Sequence, residues 1–368
     1  MRIHLPHLDW AQSTYGSVRH NLADSAVCAP TPDELGLGPV PLLSLEPRRE
    51  REALEAALGE RLEAPGGRVM LSAAGSEANA CVFAGLLEPA DEVLLERPGY
   101  EPHSGVPALF GLRTHVFERS AAHGYAVLAE TIERRLTPRT RLVVFTDLHN
   151  PTSVAWRAGE AGILTALAER HGFHLLCDEA FRDADPDRPR ASAAGLGPRW
   201  IATASLTKSY GLGGLRLGWV AAHPDVLQRC VAARRAFSVE PAHASVSAAL
   251  ALLPRLDALR ARAHQILKRN AQAWAAFTTR LGALESDAAP RGTVTWCRVG
   301  DGTAGDRLAD YALTQHGVAV TPGRFFGDPR YVRVGLGTTP AEFDRAIEAL
   351  GAAYQEWAAV VQGQADGA

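Results

Sequence analysis

The sequence predicts an α/β fold: a seven-stranded, mostly parallel sheet in a large domain, followed by a smaller α/β domain. Three observations carry that expectation. Between Arg68 and Ala221, short apolar runs alternate with helical patterns, as in a sheet covered on both faces. At 368 residues and 46% hydrophobic composition, the chain can bury the cores of two packed units. After Phe237 the pattern changes to long Ala/Leu/Arg helical stretches and a second set of strands.

Residues 1–45 read as an arm that packs with the small domain. They hold a helical patch from His7 to Arg19, then Asn21-Leu-Ala-Asp-Ser, then a Pro/Gly-rich run from Pro30 to Pro41. Apolar spacing over Arg48–Leu62 gives an amphipathic helix. The expected strands of the large domain (46–242) are Arg68–Ser72, Glu92–Glu96, Thr114–Phe117, Arg141–Thr146, Phe173–Cys177, Trp200–Ala204 and Leu217–Ala221. Helices are expected at Ser76–Leu87, Val127–Leu136 and Glu160–Arg170. In the small domain (243–368), Ser245–Leu281 forms a linking helix broken at Pro254. Strands Thr293–Val299, Val318–Val320 and Tyr331–Val334 follow, with helices at Asp306–His316 and Pro340–Val361 and a frayed tail at Gln362–Ala368.

Composition excludes several classes of function. The net charge is −3 and both signs are interspersed, so no nucleic-acid or anionic-membrane partner is expected. Five cysteines lie far apart without a Cys-x-x-Cys pair, which argues for a reducing compartment and against zinc. No apolar run is long enough to span a membrane, and the N-terminus lacks a signal-peptide core. The expectation is a soluble cytoplasmic protein. His4 and His7 in the arm, and His171 and His174 around a strand, form no metal-ligand pattern.

The chemistry centres on residues 205–218, Ser-Leu-Thr-Lys-Ser-Tyr-Gly-Leu-Gly-Gly-Leu-Arg-Leu-Gly. Of 38 basic residues only Lys208 and Lys268 are lysines. Lysine is kept where an amine must shed its proton and act as a nucleophile, which arginine cannot do. Lys268 lies in a helical Arg/Ala/Leu pattern and faces water in this reading, whereas Lys208 sits between a strand and a glycine-rich loop. Ser205, Thr207 and Arg216 offer hydroxyls and a charged fork suited to a phosphate. Gly211, Gly213, Gly214 and Gly218 let the backbone approach a ligand.

This stretch resembles the cofactor-lysine motif of class I and II pyridoxal-phosphate aminotransferases of fold type I, with Lys208 and Arg216 at the family spacing. The resemblance spans most of residues 45–340 and implies a seven-stranded large domain and a homodimer. It further implies that Lys208 holds pyridoxal phosphate as a Schiff base. Asp178, at a strand end, would pair with the pyridine nitrogen. Asn150, in Asn-Pro-Thr, would bond the cofactor's 3-oxygen. Ala74, Gly75 and Ser76, at a helix start, would cup the phosphate. Tyr100 would stack on the ring, and Arg333, a charge inside an apolar strand, would bind the substrate α-carboxylate. The implied reaction moves an amino group between an α-amino acid and a 2-oxo acid.

The sequence departs from the family in three places. Phe181 stands where the family has a tyrosine that bonds the 3-oxygen. Ser153 replaces the glycine of the Asn150 turn, so a different turn geometry is expected there. Leu43-Ser44-Leu45 occupies the place of the partner-subunit tyrosine. Phe181 keeps open an alternative among lyases, ring-forming synthases and other amino-acid-modifying enzymes of the same fold.

Overall fold

The computed structural model describes residues 4–38, 46–64, 66, 68–300 and 305–366. Leu43-Ser44-Leu45 lies outside the described residues. The strands in chain order are β1 (His20–Asn21), β2 (Val69–Ser72), β3 (Glu92–Arg97), β4 (Arg113–Glu118), β5 (Thr140–Thr146), β6 (His174–Asp178), β7 (Trp200–Ser205), β8 (Gly218–Ala222), β9 (Leu284–Ser286), β10 (Val294–Val299), β11 (Val318–Ala319), β12 (Thr321–Pro322) and β13 (Tyr331–Gly335).

All seven strands expected between Arg68 and Ala221 join one sheet, in the order β2-β8-β7-β6-β5-β3-β4. Only β8 runs antiparallel, against β2 and β7. Alternation along β5 shows why the strands are almost wholly apolar. Leu142 and Val144 enter a core with Phe83, Leu176 and Val226 on one face. Val143 and Phe145 enter another with Leu164, Phe173 and Trp200 on the opposite face. A third core packs Leu54 and Leu58 of the helix Pro47–Arg61 against Ala202 and Trp219.

The strand directions bring six carboxyl ends to one edge, those of β2, β3, β4, β5, β6 and β7. The reversed strand β8 brings its amino end there. Ligands of open α/β sheets bind at this edge, and the motifs at 74–76, Tyr100, Asn150, Asp178 and 205–218 adjoin the sheet there, while Arg333 comes from β13 of the second sheet.

The second sheet is antiparallel, in the order β12-β13-β10-β9. Its core sets Val299, Val332 and Val334 against Trp274 and Phe277 of the helix Leu256–Leu281 and Phe343 and Ile347 of the helix Pro340–Asp366. The expected strand Val318–Val320 is shortened to Val318–Ala319, which pairs in parallel with His20 and Asn21, and a separate strand, Thr321–Pro322, pairs with β13. The expected helix Val127–Leu136 is reduced to Ala129–Glu133, followed by turns.

From β1 the arm threads between the second sheet and the glycine-rich loop. Gly335 N donates to Leu22 O (2.6 Å), Cys28 N to Gly337 O (2.7 Å) and Val27 N to Lys208 O (2.9 Å). A Cβ on Gly335 would lie 2.0 Å from Asp24 O, and one on Gly337 2.0 Å from Ala26 O. These glycines are what lets the arm lie so close.

Candidate active site

At the carboxyl edge lies a cavity of about 220 Å³. It gathers every residue singled out from the sequence: Ala74, Gly75, Ser76, Tyr100, Asn150, Asp178, Phe181, Ser205, Thr207, Lys208, Arg216 and Arg333. These residues come from six separate segments, so the fold and not local sequence assembles them.

One end suits a phosphate. The helix Gly75–Leu86 begins at the cavity with no side-chain cap. Its first amides therefore have no intrahelical acceptor, and its dipole favours an anion. Ser76 is not the N-cap; that position belongs to Ala74, at φ 81°. Gly218 explains how this loop sits so near the lysine segment. A Cβ there would come within 2.5 Å of Ala74 C and 2.7 Å of Ala204 O. Ser205 Oγ accepts from Thr207 N at 3.3 Å. Arg216, in the left-handed region at φ 47°, is exposed in the single chain.

The opposite wall holds an ionised carboxylate. Asp178 Oδ2 accepts from Asn79 Nδ2 (2.9 Å) and lies 3.1 Å from His103 Nε2, while Oδ1 accepts from Ala180 N (3.0 Å). Burial alone would raise its pKa, but the bonds from His103, Asn79 and Ala180 outweigh it and hold the group below the usual carboxylate range. Thr203 Oγ1 donates to Asn79 Oδ1 at 2.6 Å, which turns the Asn79 amide hydrogens toward Asp178. Sequence reading missed Asn79 and His103. Each is one polar residue on an ordinary helix, and only its long-range contact gives it meaning.

Lys208 reaches into the cavity between these ends. Burial lowers its pKa, and the positive charges of Arg333 and Arg216 add to that, against Asp24 and Asp178. A free amine is the nucleophilic form. Tyr100 meets the His103 ring edge-on at 5.4 Å, and burial pushes its hydroxyl up to about 12. Phe181 is buried and lines the cavity, placing no hydroxyl there.

Arg333 is 1% exposed. It donates to Asn150 Oδ1 (2.9 Å), Ala23 O (2.9 Å) and Thr321 Oγ1 (3.2 Å), and its Cζ lies 5.0 Å over the Phe326 ring. Its Nε has no partner, and among the described residues it forms no ion pair. The turn that carries Asn150 is ordered despite its serine. Ser153 takes φ 60°, a region glycine favours, and donates to Val294 O at 2.6 Å. The arm also reaches the site, through His7, Leu8, Ala11, Tyr15 and Ser25, which the sequence reading did not place there. Among the described residues no group of three or more His, Cys, Asp or Glu could hold a metal ion. No described helix is long and apolar enough to cross a membrane.

A family model described as aminotransferase class I and II matches residues 45–350. The chain belongs to this family. Capreomycidine synthase of Streptomyces vinaceus is 31% identical over 94% of this chain and 92% of its own length. Arginine–pyruvate transaminase of Pseudomonas aeruginosa is 28% identical over 78% of this chain and 76% of its own. Among solved structures, a PLP-dependent aminotransferase from Streptococcus suis superposes with a TM-score of 0.86 at 19% identity, covering 97% of this chain and 99% of that one. At that identity the likeness is one of fold. The chain is an aminotransferase, a pyridoxal-phosphate-dependent enzyme that moves an amino group between an α-amino acid and a 2-oxo acid.

The residues present fit that cofactor. The uncapped helix end, with the close approach that Gly218 allows, matches a phosphate; the ionised Asp178 matches a protonated pyridine nitrogen; and the buried amine matches a carbonyl.

Proposed function

We propose that Lys208 is the residue bonded to the cofactor and the base that moves a proton at the substrate Cα. Bound pyridoxal phosphate supplies an electron sink for the negative charge left at that carbon. In this reading Asp178 accepts the pyridine N–H and keeps the nitrogen protonated. Gly75, Ser76, Ser205, Thr207 and Arg216 hold the phosphate, with Ala74 shaping the turn. Tyr100 packs on the ring face, and Asn150 donates to the 3-oxygen. Arg333 binds the substrate α-carboxylate and so fixes which bond at Cα faces the ring.

The observation that carries the substrate class is Arg333. A cation buried without a counter-charge costs several kcal/mol, so a carboxylate arriving with the substrate is a strong match. Arg333→Ala should lower kcat/KM for amino acids by about 2–5 kcal/mol in transition-state terms. Cofactor affinity should barely move. An unchanged kcat/KM for amino acids would place the carboxylate elsewhere.

The reading extends to three coarser matters. The arm (1–45), large domain (46–242) and small domain (243–368) act as units around the site. The enzyme works as a homodimer in the cytoplasm; the exposed position of Arg216, a phosphate clamp, supports a covering subunit. A second reaction is favoured by a specific likeness. The capreomycidine synthase relative spans nearly the whole chain, and Phe181 departs from the usual tyrosine, so ring formation on an amino acid is the competing outcome. Turnover with a panel of amino acids and either pyruvate or 2-oxoglutarate separates the two. Consumption of the amino acid with no alanine or glutamate formed from the oxo acid would favour ring formation.

A further inference from the structure

The arm helix Pro6–Thr14 forms one wall of the cavity, on the side of Arg333. His7 is its most unusual residue. It is 3% exposed and lines the cavity, yet neither Nδ1 nor Nε2 has a hydrogen-bond partner. The ring is held firmly all the same. It stacks on Phe325 at 5.2 Å, meets Phe326 edge-on at 5.4 Å, and its backbone N donates to Glu101 Oε2 at 3.0 Å. A buried polar group left unpaired is destabilising, and a fixed ring cannot turn away to find water.

We propose that His7 is a specificity-determining residue that accepts a hydrogen bond from an N–H or O–H group at the far end of the substrate side chain. The proposal rests on the assignment of Arg333 to the α-carboxylate, which sets the substrate side chain toward the arm. Chemistry selects a donor over an acceptor. A carboxylate would call for the imidazole as a cation, a form that burial and the positive charges of Arg333 and Lys208 disfavour. A donor finds few acceptors: the Asn150 oxygen is taken by Arg333, and Asp178 is bonded by Asn79, His103 and Ala180. Neutral imidazole offers a lone pair, and burial, Arg333 and Lys208 hold the His7 pKa down to about 3, so that lone pair stays available across the physiological range. Leu8 and Ala11 of the same helix add apolar surface to the cavity wall. An apolar side chain of equal length would leave His7 unpaired, which is how a polar site rejects an isostere.

The test uses holoenzyme and 2-methyl amino acids, which bind but have no Cα–H to lose. Calorimetric dissociation constants are measured for the 2-methyl forms of glutamine, arginine and leucine. Wild type should bind the glutamine or the arginine form, or both, at least about ten-fold more tightly than the leucine form. In His7→Phe, which keeps the ring stack but removes both nitrogens, that ratio should fall to near one. His7→Gln, which restores an acceptor, should recover part of it. Equal binding of all three ligands in wild type would overturn the proposal, as would a ratio that survives in His7→Phe. The wild-type series stands even where a variant fails to fold. If Arg333→Ala leaves binding of all three unchanged, it is the carboxylate assignment that fails, a result distinct from either outcome at His7.

Discussion

The Asn150 side chain divides its capacity between two partners. Its oxygen accepts from Arg333, while among the described residues its amide hydrogens make no protein hydrogen bond and remain for a ligand. With Phe181 in place of tyrosine, Asn150 is the side-chain donor assigned to the cofactor's 3-oxygen. A second donor would stabilise that oxygen as an anion and weaken its hold on a neighbouring proton. Phe181→Tyr should therefore lower, by about one pH unit, the midpoint at which the bound cofactor changes from its yellow to its near-ultraviolet band. A midpoint that stays or rises would show that residue 181 does not face the 3-oxygen. At this scale the sequence was legible where residue type and spacing are constrained together, as in Lys208 with Arg216. It was silent on Asn79, His103, His7 and Tyr15, whose positions follow from packing between distant segments. His7 showed only that it belongs to no metal-ligand pattern, because nothing local marks its burial against Phe325.

Elements were legible wherever apolar periodicity was long enough to speak for itself. The seven strands of the large sheet were found within a residue or two at each end. Val318–Val320 was read as one strand because its three residues are all apolar. Its end at Ala319 follows from pairing with the two-residue arm segment His20–Asn21, far away in sequence. Strand β9 and the helix Pro102–Leu109 are short, and tertiary contacts decide them. The glycines of the loop before β8 were read as aids to ligand approach. For Gly218 the physical reason is sharper, since its hydrogen faces the backbone of the Ala74–Gly75 turn. Gly218→Ala should push that turn outward, costing about 1–3 kcal/mol of stability by overpacking. It should also raise the dissociation constant for pyridoxal phosphate. Thermal unfolding of the apoenzyme and a cofactor titration read the two effects separately. An unchanged cofactor affinity would mean that the turn is not the phosphate cup.

Across the whole molecule, the site lies where both sheets and the arm meet. Tyr125, from the loop after β4, and Tyr331 of β13 both donate to Asp287 Oδ2, at 2.6 and 2.9 Å. Arg291 pairs with Asp185 at 2.8 Å. These bonds tie the second sheet to the first beside Asn150 and Arg333, so the two recognitions are held in register. The proposed homodimer predicts a sedimenting species of about twice the 39.3 kDa chain mass, with activity lost on dilution to monomer. A fully active monomer would contradict it. The overall architecture was legible because sheet-edge chemistry follows from strand direction. The partner-facing surface was not, because apolar residues that cover a neighbour resemble those that merely fall on the surface.

The central claim is that Lys208 carries the cofactor, and the chain's scarcity of lysine makes that claim unusually easy to test. Holoenzyme treated with borohydride, digested and analysed by mass spectrometry should carry the reduced phosphopyridoxyl group on the peptide containing Lys208. The peptide containing Lys268, the other lysine in the sequence, should be unmodified. Label on Lys268, or on neither lysine, would contradict the account.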